Sequence, residues 1–408
     1  MRRPYRLAYL VSHPIQYQAP LLRLIAQDPD IELKAFFCSD FSMRKHMDAG
    51  FGQEIEWDVP LVEGYDHEFL PARADDGPPS VFRPVNRGMP KALRDGGFDA
   101  LWVHGYMRWY HLTSMARARL QGQIVLNRDE AWAMSTARGP ARDIFKKFFY
   151  FLLRRICHGF LVIGSANRDY YLANGMQPDS LFMVPYAVDN AVFQKRADAA
   201  AARRDDLRRE LTLEPGRPVI LYASKFIRRK CPDDLVEAFI RIASNAELRN
   251  PYLVLVGDGE MRGALERQVV EAGLSESVRF TGFQNQSDLP RFYDLCDVFV
   301  LPSLLEPWGL VVNELMCAGR AVIASDQVGA AYDLIRNGEN GYVYPAGNVS
   351  ALQEALGNIL ADPERCREMG AESRKIVANW SFAEDIAGIK QALRHFVGDP
   401  PDARNHTT

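Results

Sequence analysis

Glu306 and Glu314 are the residues whose types and spacing most directly suggest chemistry. Glu306 follows the apolar run 298–301, which has strand character, and Glu314 lies in an apolar stretch that ends before Gly319. We therefore expect Glu306 on a loop that leaves a strand and Glu314 inside the helix that this loop opens. Ligands of open parallel sheets bind at such loops. Gly309, between the two acids, allows close approach of the backbone, so the pattern favours a polyhydroxylated ligand.

This acid pair has two other interpretations. Acids are favoured near helix N-termini by the macrodipole, which suits Glu306 but not Glu314, because Glu314 lies further into an apolar helix. A retaining glycosidase would use two carboxylates about 5–5.5 Å apart across the scissile bond. The glycine-containing helix start favours instead an anion such as phosphate, held between the two acids.

Four cations follow the first strand of the second half of the chain, namely Lys225, Arg228, Arg229 and Lys230, just before a helix expected to begin near Pro232. Cations at the carboxyl edge of a parallel sheet can neutralise a diphosphate, and lysine does so as a mobile point charge. The alternative is a solvated basic loop, and it stays open above all for the two arginines.

Length and composition restrict the class of protein. A chain of 408 residues, 47% apolar and 25% charged, is typical of a globular protein with two domains. Its net charge of −3 provides no field that would draw the whole chain to nucleic acid, so no nucleic-acid partner is expected. The 6 cysteines form no Cys-x-x-Cys motif, as in a reducing compartment.

The beginning of the chain resembles a first strand more than a signal peptide, because its apolar run breaks at Ser12-His13-Pro14. No stretch approaches the roughly 18 apolar residues of a spanning helix. We expect a cytoplasmic protein.

Short apolar runs alternate with longer mixed segments throughout, which predicts β-α units and parallel sheets. The expected fold class is α/β, with two tandem Rossmann-like doubly wound domains and a cleft between them. Six strands are predicted in each half: 7–11, 33–37, 100–103, 124–126, 160–163 and 181–184, then 219–222, 253–256, 278–281, 298–301, 322–324 and 342–344.

The predicted domain limits follow composition and punctuation. Residues 1–193 form the first domain, and residues 194–217, rich in Ala, Arg and Asp, form the linker. Residues 218–381 form the second domain. Residues 382–398 form a terminal helix, for which a return to the first domain is one option, and residues 399–408 are expected to be disordered.

With Lys225 and Lys230 upstream, the run 306–314 resembles the donor-binding half of family 4 glycosyltransferases of the GT-B fold. The likeness is strong from about residue 181 to residue 381 and weak before that. Supporting stretches are 184–189, 253–260, 278–283 and 318–326.

The resemblance implies a role for four charged residues of the second domain. Glu306 would contact hydroxyls of the donor sugar as a catalytic residue and stay clear of the phosphates, and Glu314 would accept hydrogen bonds from the ribose. Lys225 and Lys230 would hold the diphosphate as it leaves. Enzymes of this kind retain the anomeric configuration and generally need no metal, so no cofactor is expected.

The same resemblance implies a backbone surface for the donor. The backbone at Trp308, Gly309 and Leu310 would face sugar and phosphate, and Gly282 and Phe283 would lie beside the nucleobase.

The sequence departs from the family pattern at three places. Lys225 stands where arginine is common, Cys231 stands where glycine usually follows the lysine, and residues 12–17 replace the usual Gly-Gly loop after the first strand.

Candidate residues in the first domain follow predicted strands. His104 is loosely like a histidine that family members place near the reacting sugar, which makes it a catalytic candidate. His13, Asp129 and Glu130 are acceptor-side candidates, with either acid as an acceptor base. A lone histidine is more often a hydrogen-bonded structural residue, and that alternative stays open for both histidines.

Residues 142–156 mix aromatic side chains with lysine and arginine. Such a helix could lie on an anionic membrane surface as a peripheral contact at the inner face. The alternative is a helix whose apolar side packs on the first sheet and whose basic ends are solvated.

The sequence thus predicts a retaining hexosyltransferase that moves a sugar from a nucleoside-diphosphate sugar to a hydroxyl of a glycan or lipid-linked acceptor, as in envelope polysaccharide synthesis. One alternative is a sugar-nucleotide epimerase of the same fold, which would release its product without an acceptor. The other is a non-catalytic sugar-binding protein, which gives no reason for Lys225 and Lys230.

Overall fold

The computed structural model describes residues 3–73, 79–132 and 140–399. The tail predicted to be disordered lies, from residue 400 onward, outside the described residues. The strands in chain order are β1 Tyr5–Val11, β2 Ile31–Phe37, β3 His46–Asp48, β4 Gln53–Ile55, β5 Asp66–Phe69, β6 Ala72–Arg73, β7 Val85–Asn86, β8 Ala100–His104, β9 Ile124–Arg128, β10 Gly159–Val162, β11 Leu181–Met183, β12 Val219–Ala223, β13 Tyr252–Val256, β14 Val278–Gly282, β15 Val298–Leu301, β16 Ala321–Ser325 and β17 Gly341–Tyr344.

Helices follow most strands of the two large sheets, as β-α units require. The α-helices in chain order are α1 Ala19–Gln27, α2 Met89–Gly96, α3 Trp109–Leu120, α4 Pro140–Ile156, α5 Ser165–Ala173, α6 Asn190–Ala201, α7 Arg204–Glu210, α8 Pro232–Ile242, α9 Arg262–Glu271, α10 Leu289–Leu295, α11 Leu310–Cys317, α12 Gly329–Leu334, α13 Val349–Leu360, α14 Pro363–Val377 and α15 Phe382–Val397.

The chain divides into two compact units, and neither is continuous in sequence. The first unit comprises Met1–His46, Val59–Pro185 and Phe382–Thr408, and the second comprises Met47–Asp58 and Tyr186–Ser381. Each unit contains one large sheet.

The sheet of the first unit is parallel, with strand order β11-β10-β9-β8-β1-β2-β5. Both faces of its central strands are covered, so β1 is apolar except for Arg6, β8 is apolar except for His104, and both strands are almost entirely buried. The strand order reverses between β1 and β8. Such a reversal leaves a crevice at the carboxyl ends of the two strands, where ligands bind in open α/β sheets.

The terminal helix α15 belongs to this first unit, although it follows the second unit in sequence. A buried ion pair fixes it there: Arg128, at the end of β9, donates to Asp385 of α15 over 2.8 Å, and the two side chains are 2% and 0% exposed. The same guanidinium donates to the backbone oxygens of Val184 and Pro185 at 2.9 and 2.8 Å. Gly388 lets α15 approach β11 closely, since a Cβ there would lie 2.0 Å from the backbone oxygen of Met183.

The sheet of the second unit is also parallel, with strand order β14-β13-β12-β15-β16-β17. A continuous core of buried aliphatic and aromatic side chains lies between this sheet and helices α8, α9 and α13. The order reverses between β12 and β15. The loops after these two strands therefore meet at the topological switch point of this unit.

All twelve predicted strands are present, with ends that differ from the prediction by one or two residues. The sequence missed β5, because this edge strand reads Asp-His-Glu-Phe, is exposed at both ends and lacks an apolar run. The expected linker 194–217 contains most of α6 and all of α7, and these helices pack on α10 and α11 within the second unit. Its charged composition reflects exposed helix faces.

Candidate active site

The switch point of the second unit brings together two stretches that the sequence singled out. Lys225 and Lys230 lie on the loop between β12 and α8, and Glu306 and Gly309 lie on the loop between β15 and α11. A backbone hydrogen bond of 2.9 Å from Leu304 to Arg229 joins the two loops. The charged residues of both loops therefore share one edge of the sheet.

Lys230 and Glu306 form an ion pair across these loops, and their side chains are only 12% and 13% exposed. The Glu306 carboxylate, predicted to stay clear of the phosphates, thus contacts one of the two lysines predicted to hold them. Removal of either partner would leave a nearly buried charge without compensation. The pair thus sets a negative group and a positive group side by side at the switch point.

Cys231 explains one departure from the family pattern. It has a φ of +47°, in the left-handed region that favours glycine, and it separates the turn of Lys230 from α8. Its thiol donates to the backbone oxygen of Arg228 at 3.1 Å and is buried. The backbone here keeps the conformation that glycine would adopt, with a side chain that packs inward.

The loop that carries Glu306 is held rigidly. The backbone N–H of Glu306 donates to the backbone oxygen of Gln327 at 3.1 Å, and the backbone oxygen of Glu306 accepts from the N–H of Gly329 at 2.9 Å. A Cβ at Gly329 would lie 2.0 Å from the backbone oxygen of Pro307, so only glycine fits there. Gly309, the residue before α11, has a φ of +91°. The backbone is therefore preorganised around the carboxylate.

The Trp308 side chain lies in the interior. It is 3% exposed, stacks on Trp380 with ring centres 5.4 Å apart, and donates its indole N–H to Asn313 at 3.0 Å. Of the predicted donor surface, Trp308 could thus offer only its backbone. Its ring serves to fix the start of α11.

Glu314 lies inside α11, as predicted, and its carboxylate accepts a hydrogen bond of 2.5 Å from the hydroxyl of Tyr293 on α10. Burial raises the pKa of Glu314 to about 7, against the opposing effect of this hydrogen bond. Burial, and next the Glu314 carboxylate, raise the pKa of Tyr293 well above its usual value. The Glu314 carboxylate is thus poorly solvated and has room to accept hydrogen bonds from a ligand.

A pocket of the second unit contains both Glu314 and Phe283. Gly282, with a φ of +73°, and the backbone of Gly257 shape the loops at its rim, where Gly257 donates to Gly282 at 2.9 Å. The pocket is lined by Phe51, Ala223, Ser224, Val256, Gly257, Phe283, Gln284, Leu289, Tyr293, Val311 and Glu314.

Lys225 does not point to open solvent. Its ammonium donates to both carboxylate oxygens of Asp48, at 2.7 and 2.8 Å, and lies 4.7 Å from the centre of the Phe51 ring. Asp48 and Phe51 belong to the Met47–Asp58 segment of the second unit, which the predicted domain limits placed in the first domain. A weak signal was present, since Asp-Ala-Gly-Phe-Gly is a turn sequence.

The two candidate histidines lie at the switch point of the first unit, after β1 and at the end of β8. His104 is held by the Gln18 side-chain amide, 2.8 Å from its Nδ1, and Gln18 in turn accepts from Tyr9. Burial, and next the charge of Arg128, lower the pKa of His104 well below its usual value. Burial lowers the pKa of His13 to about 4. Both rings are therefore neutral near pH 7.

The two acids after β9 differ in environment. Asp129 is buried, with one carboxylate oxygen accepting from Ala131 at 2.7 Å and the other from Asn127 at 2.7 Å and from Tyr171. Burial raises its pKa to about 6. Glu130 is exposed. Asp129 is therefore held in a buried hydrogen-bond network, and Glu130 is the more accessible of the two candidate bases.

Helix α4 is apolar on more than one side. Tyr150 and Leu153 are buried in the core of the first unit, whereas Ile144, Phe148 and Leu152 are 70%, 57% and 42% exposed. One side of the helix thus packs in the core, and another side is free for the membrane contact that the sequence also suggested.

The family model for glycosyl transferases group 1 matches residues 203–376. The matched segment includes β12 to β17 and contains the Lys230–Glu306 pair and Glu314.

Several glycosyltransferases are similar to this chain, over segments of different length. It is 27% identical over 349 residues to D-inositol 3-phosphate glycosyltransferase of Nocardia farcinica, which covers 81% of this chain and 72% of that protein. It is 34% identical over 203 residues to alpha-D-kanosaminyltransferase of Streptomyces kanamyceticus. That alignment covers 49% of this chain and 51% of that protein. A GDP-mannose-dependent mannosyltransferase of Mycobacterium tuberculosis is 30% identical, over 60% of this chain and 64% of its own length.

Solved structures share the fold of the whole chain. A glycosyltransferase from Rickettsia africae superposes with a TM-score of 0.71 at 14% identity, over 96% of this chain and 98% of its own. Anabaena HepE in complex with UDP gives a TM-score of 0.70 at 16% identity, over 96% and 99%. The fold is GT-B. Among the described residues, no helix combines the length and apolarity needed to cross a membrane.

The raised pKa of Glu314 has a signed consequence for stability. The folded protein binds this proton more tightly than the unfolded chain, so the contribution is complete below about pH 4.5 and is lost as the pH rises through about 7. Glu314→Gln keeps an acceptor for Tyr293 but cannot ionise. We expect it to match the wild type near pH 4.5 and to exceed its unfolding free energy by about 1–3 kcal/mol above pH 7.

Thermal melts of both proteins from pH 4.5 to 8 measure this difference. Glu276→Gln, which neutralises an exposed acid of the same unit, serves as the control and should show no such trend. A pH-independent difference for Glu314→Gln would contradict the assignment.

Proposed function

We propose that the protein is a retaining hexosyltransferase that transfers a sugar from a nucleoside-diphosphate sugar to an acceptor hydroxyl. The observation that carries this proposal is the set of groups at the switch point of the second unit. There a cationic loop, the carboxylate of Glu306 and a recessed pocket that contains Phe283 and Glu314 lie along one sheet edge.

These groups match the parts of a nucleotide sugar. Phe283 offers an aromatic face beside a nucleobase, and the Glu314 carboxylate offers strong acceptors to the hydroxyls of a ribose. Lys225, Lys230 and the N-terminus of α11 offer positive charge to the diphosphate. Glu306, beside Lys230, offers acceptors to sugar hydroxyls. Anabaena HepE, with the same fold, has been solved with UDP and with UDP-glucose, which supports this reading.

The chemistry of the transfer favours fixed cations. A nucleoside diphosphate gains negative charge as the glycosidic bond breaks, so ammonium groups held at that place stabilise the transition state more than the ground state. In this proposal the lysines supply the charge that a metal ion would otherwise supply. Glu306 holds the donor sugar and moves no proton.

The acceptor side of the proposal rests on the first unit. His104 is neutral and hydrogen-bonded, so it suits a hydrogen bond to a sugar hydroxyl and does not suit a role as a cation. Glu130 is the accessible candidate base. Relatives that act on phosphatidylinositol mannosides or lipopolysaccharide core support a glycan or lipid-linked acceptor.

A thermal-shift panel of nucleotide sugars tests the donor assignment. A ligand that binds only the folded state raises Tm, and we expect at least one nucleotide sugar to do so while free sugars do not. Glu314→Ala should lose most of that shift, and Glu276→Ala should keep it. A shift with free sugars alone would contradict the donor assignment. Turnover of the donor to an isomer without any acceptor would identify an epimerase instead.

We also propose that α4 contacts an anionic membrane surface. Its exposed apolar residues Ile144, Phe148 and Leu152 recur at helical spacing, and Lys147 and Arg155 are exposed on the same helix. Amphipathic helices that combine such groups lie in the interface of anionic bilayers.

Co-sedimentation with phosphatidylglycerol vesicles tests this contact. The wild type should bind them and not bind phosphatidylcholine vesicles. Neutralising Lys147 and Arg155 to glutamine should weaken binding by about tenfold or more, since each basic residue near the surface contributes about 1 kcal/mol. The matched variant, with Lys91 and Arg94 of α2 neutralised, should bind normally. Equal loss in both variants would indicate a diffuse charge effect and contradict a contact through α4.

A further inference from the structure

The Met47–Asp58 segment forms a short hairpin that belongs to the second unit, although the sequence on either side belongs to the first. We call it the 47–58 hairpin; it contains β4 and nearly all of β3. The Asp48 carboxylate accepts from the backbone N–H groups of Gly50 and Phe51 at 2.8 and 3.1 Å, and Gly52 donates to the backbone oxygen of Asp48 at 2.8 Å. The turn therefore fixes the direction of this carboxylate.

The tip of the hairpin fits closely against the switch-point loops. A Cβ at Gly50 would lie 2.5 Å from Cδ of Lys225, and a Cβ at Gly259 would lie 2.8 Å from the backbone oxygen of Gly50. Further along, Asn285 donates to the backbone oxygen of Glu56 at 2.9 Å, and Ser287 donates from its backbone to Asp58 at 3.2 Å. The hairpin is thus attached at both its tip and its base.

Two side chains of the hairpin reach the proposed donor site. The Phe51 ring lines the pocket and meets Phe283 edge to face, with centres 4.8 Å apart and planes at 71°. Asp48 places both oxygens on the Lys225 ammonium. Its carboxylate, half-buried beside this ammonium, is the kind of anion that a phosphate group resembles in charge and acceptor geometry.

We propose that the 47–58 hairpin is part of the donor site, where Phe51 forms a wall of the nucleobase pocket and Asp48 occupies Lys225 until the diphosphate of the donor replaces it. This inference rests on the proposed function and adds two residues to it. An anion must compete with Asp48 for Lys225, whereas a nucleoside without phosphate need not. Selection for a diphosphate is therefore linked to displacement of one hydrogen-bonded carboxylate.

Titration calorimetry with UDP, GDP, ADP and dTDP, and with the matching nucleosides, tests both residues. Asp48→Asn keeps an oxygen for the turn amides but loses the charge. We expect it to tighten binding of the preferred nucleoside diphosphate by about three- to tenfold and to leave nucleoside binding unchanged. Phe51→Ala should weaken both ligands by about five- to tenfold. Glu276→Gln controls for net charge.

A double-mutant cycle makes the assignment of Lys225 specific. In a Lys225→Met background, Asp48→Asn should no longer tighten diphosphate binding. If Asp48→Asn alone leaves diphosphate binding unchanged or weakens it, the role of Asp48 is overturned. If Phe51→Ala leaves nucleoside binding unchanged, the role of Phe51 is overturned. Phe51→Leu replaces the alanine variant if that variant melts early. Absence of binding by every nucleotide to the wild type and to Asp48→Asn alike contradicts the proposed function itself. Diphosphate binding by the wild type with no effect of either hairpin variant contradicts only this inference.

Discussion

The ion pair between Lys230 and Glu306 is the interaction on which the organisation of the second unit's binding edge depends. Two opposite charges are held almost without water, on loops from the two strands that flank the point where strand order reverses. Removing charges from water is costly, and their attraction offsets that cost only in good geometry. The surrounding backbone supplies that geometry through the hydrogen bonds of the Glu306 loop and through Gly329, which has no room for a side chain.

The same constraint supports the proposal that a nucleotide sugar binds at this site. A ligand that carried only positive or only negative groups would satisfy one partner and strand the other. A sugar diphosphate offers hydroxyl donors to the carboxylate and anionic oxygens to the ammonium, so both charges stay compensated after binding. Glu314, in the adjacent pocket, offers a similar site. Its poorly solvated carboxylate accepts a hydrogen bond from Tyr293 and can accept others from a ligand.

Local sequence signals predicted the fold and part of the site. An apolar run, then Glu306 and Gly309, then an apolar helix with Glu314 is a signal within twenty residues of chain, so both acids were correctly placed on a loop and a helix. The Lys225–Asp48 pair joins residues 177 positions apart, and the Arg128–Asp385 pair joins residues 257 positions apart. A turn sequence marks residues 48–52, but nothing local shows which residues such side chains pair with, because the partners meet only when the sheets have formed. For the same reason the sequence could not show that Trp308 packs inward or that Tyr293 meets Glu314.

The most direct test compares binding of a nucleoside diphosphate with that of the corresponding nucleotide sugar, in the wild type and in Glu306→Gln. The variant keeps the shape of the side chain and removes the charge that pairs with Lys230. If Glu306 binds the sugar of the donor, the variant should bind the nucleotide sugar more weakly by about tenfold while its affinity for the diphosphate holds or rises. An equal loss of affinity for both ligands would contradict the account, because Glu306 would then serve only to position Lys230.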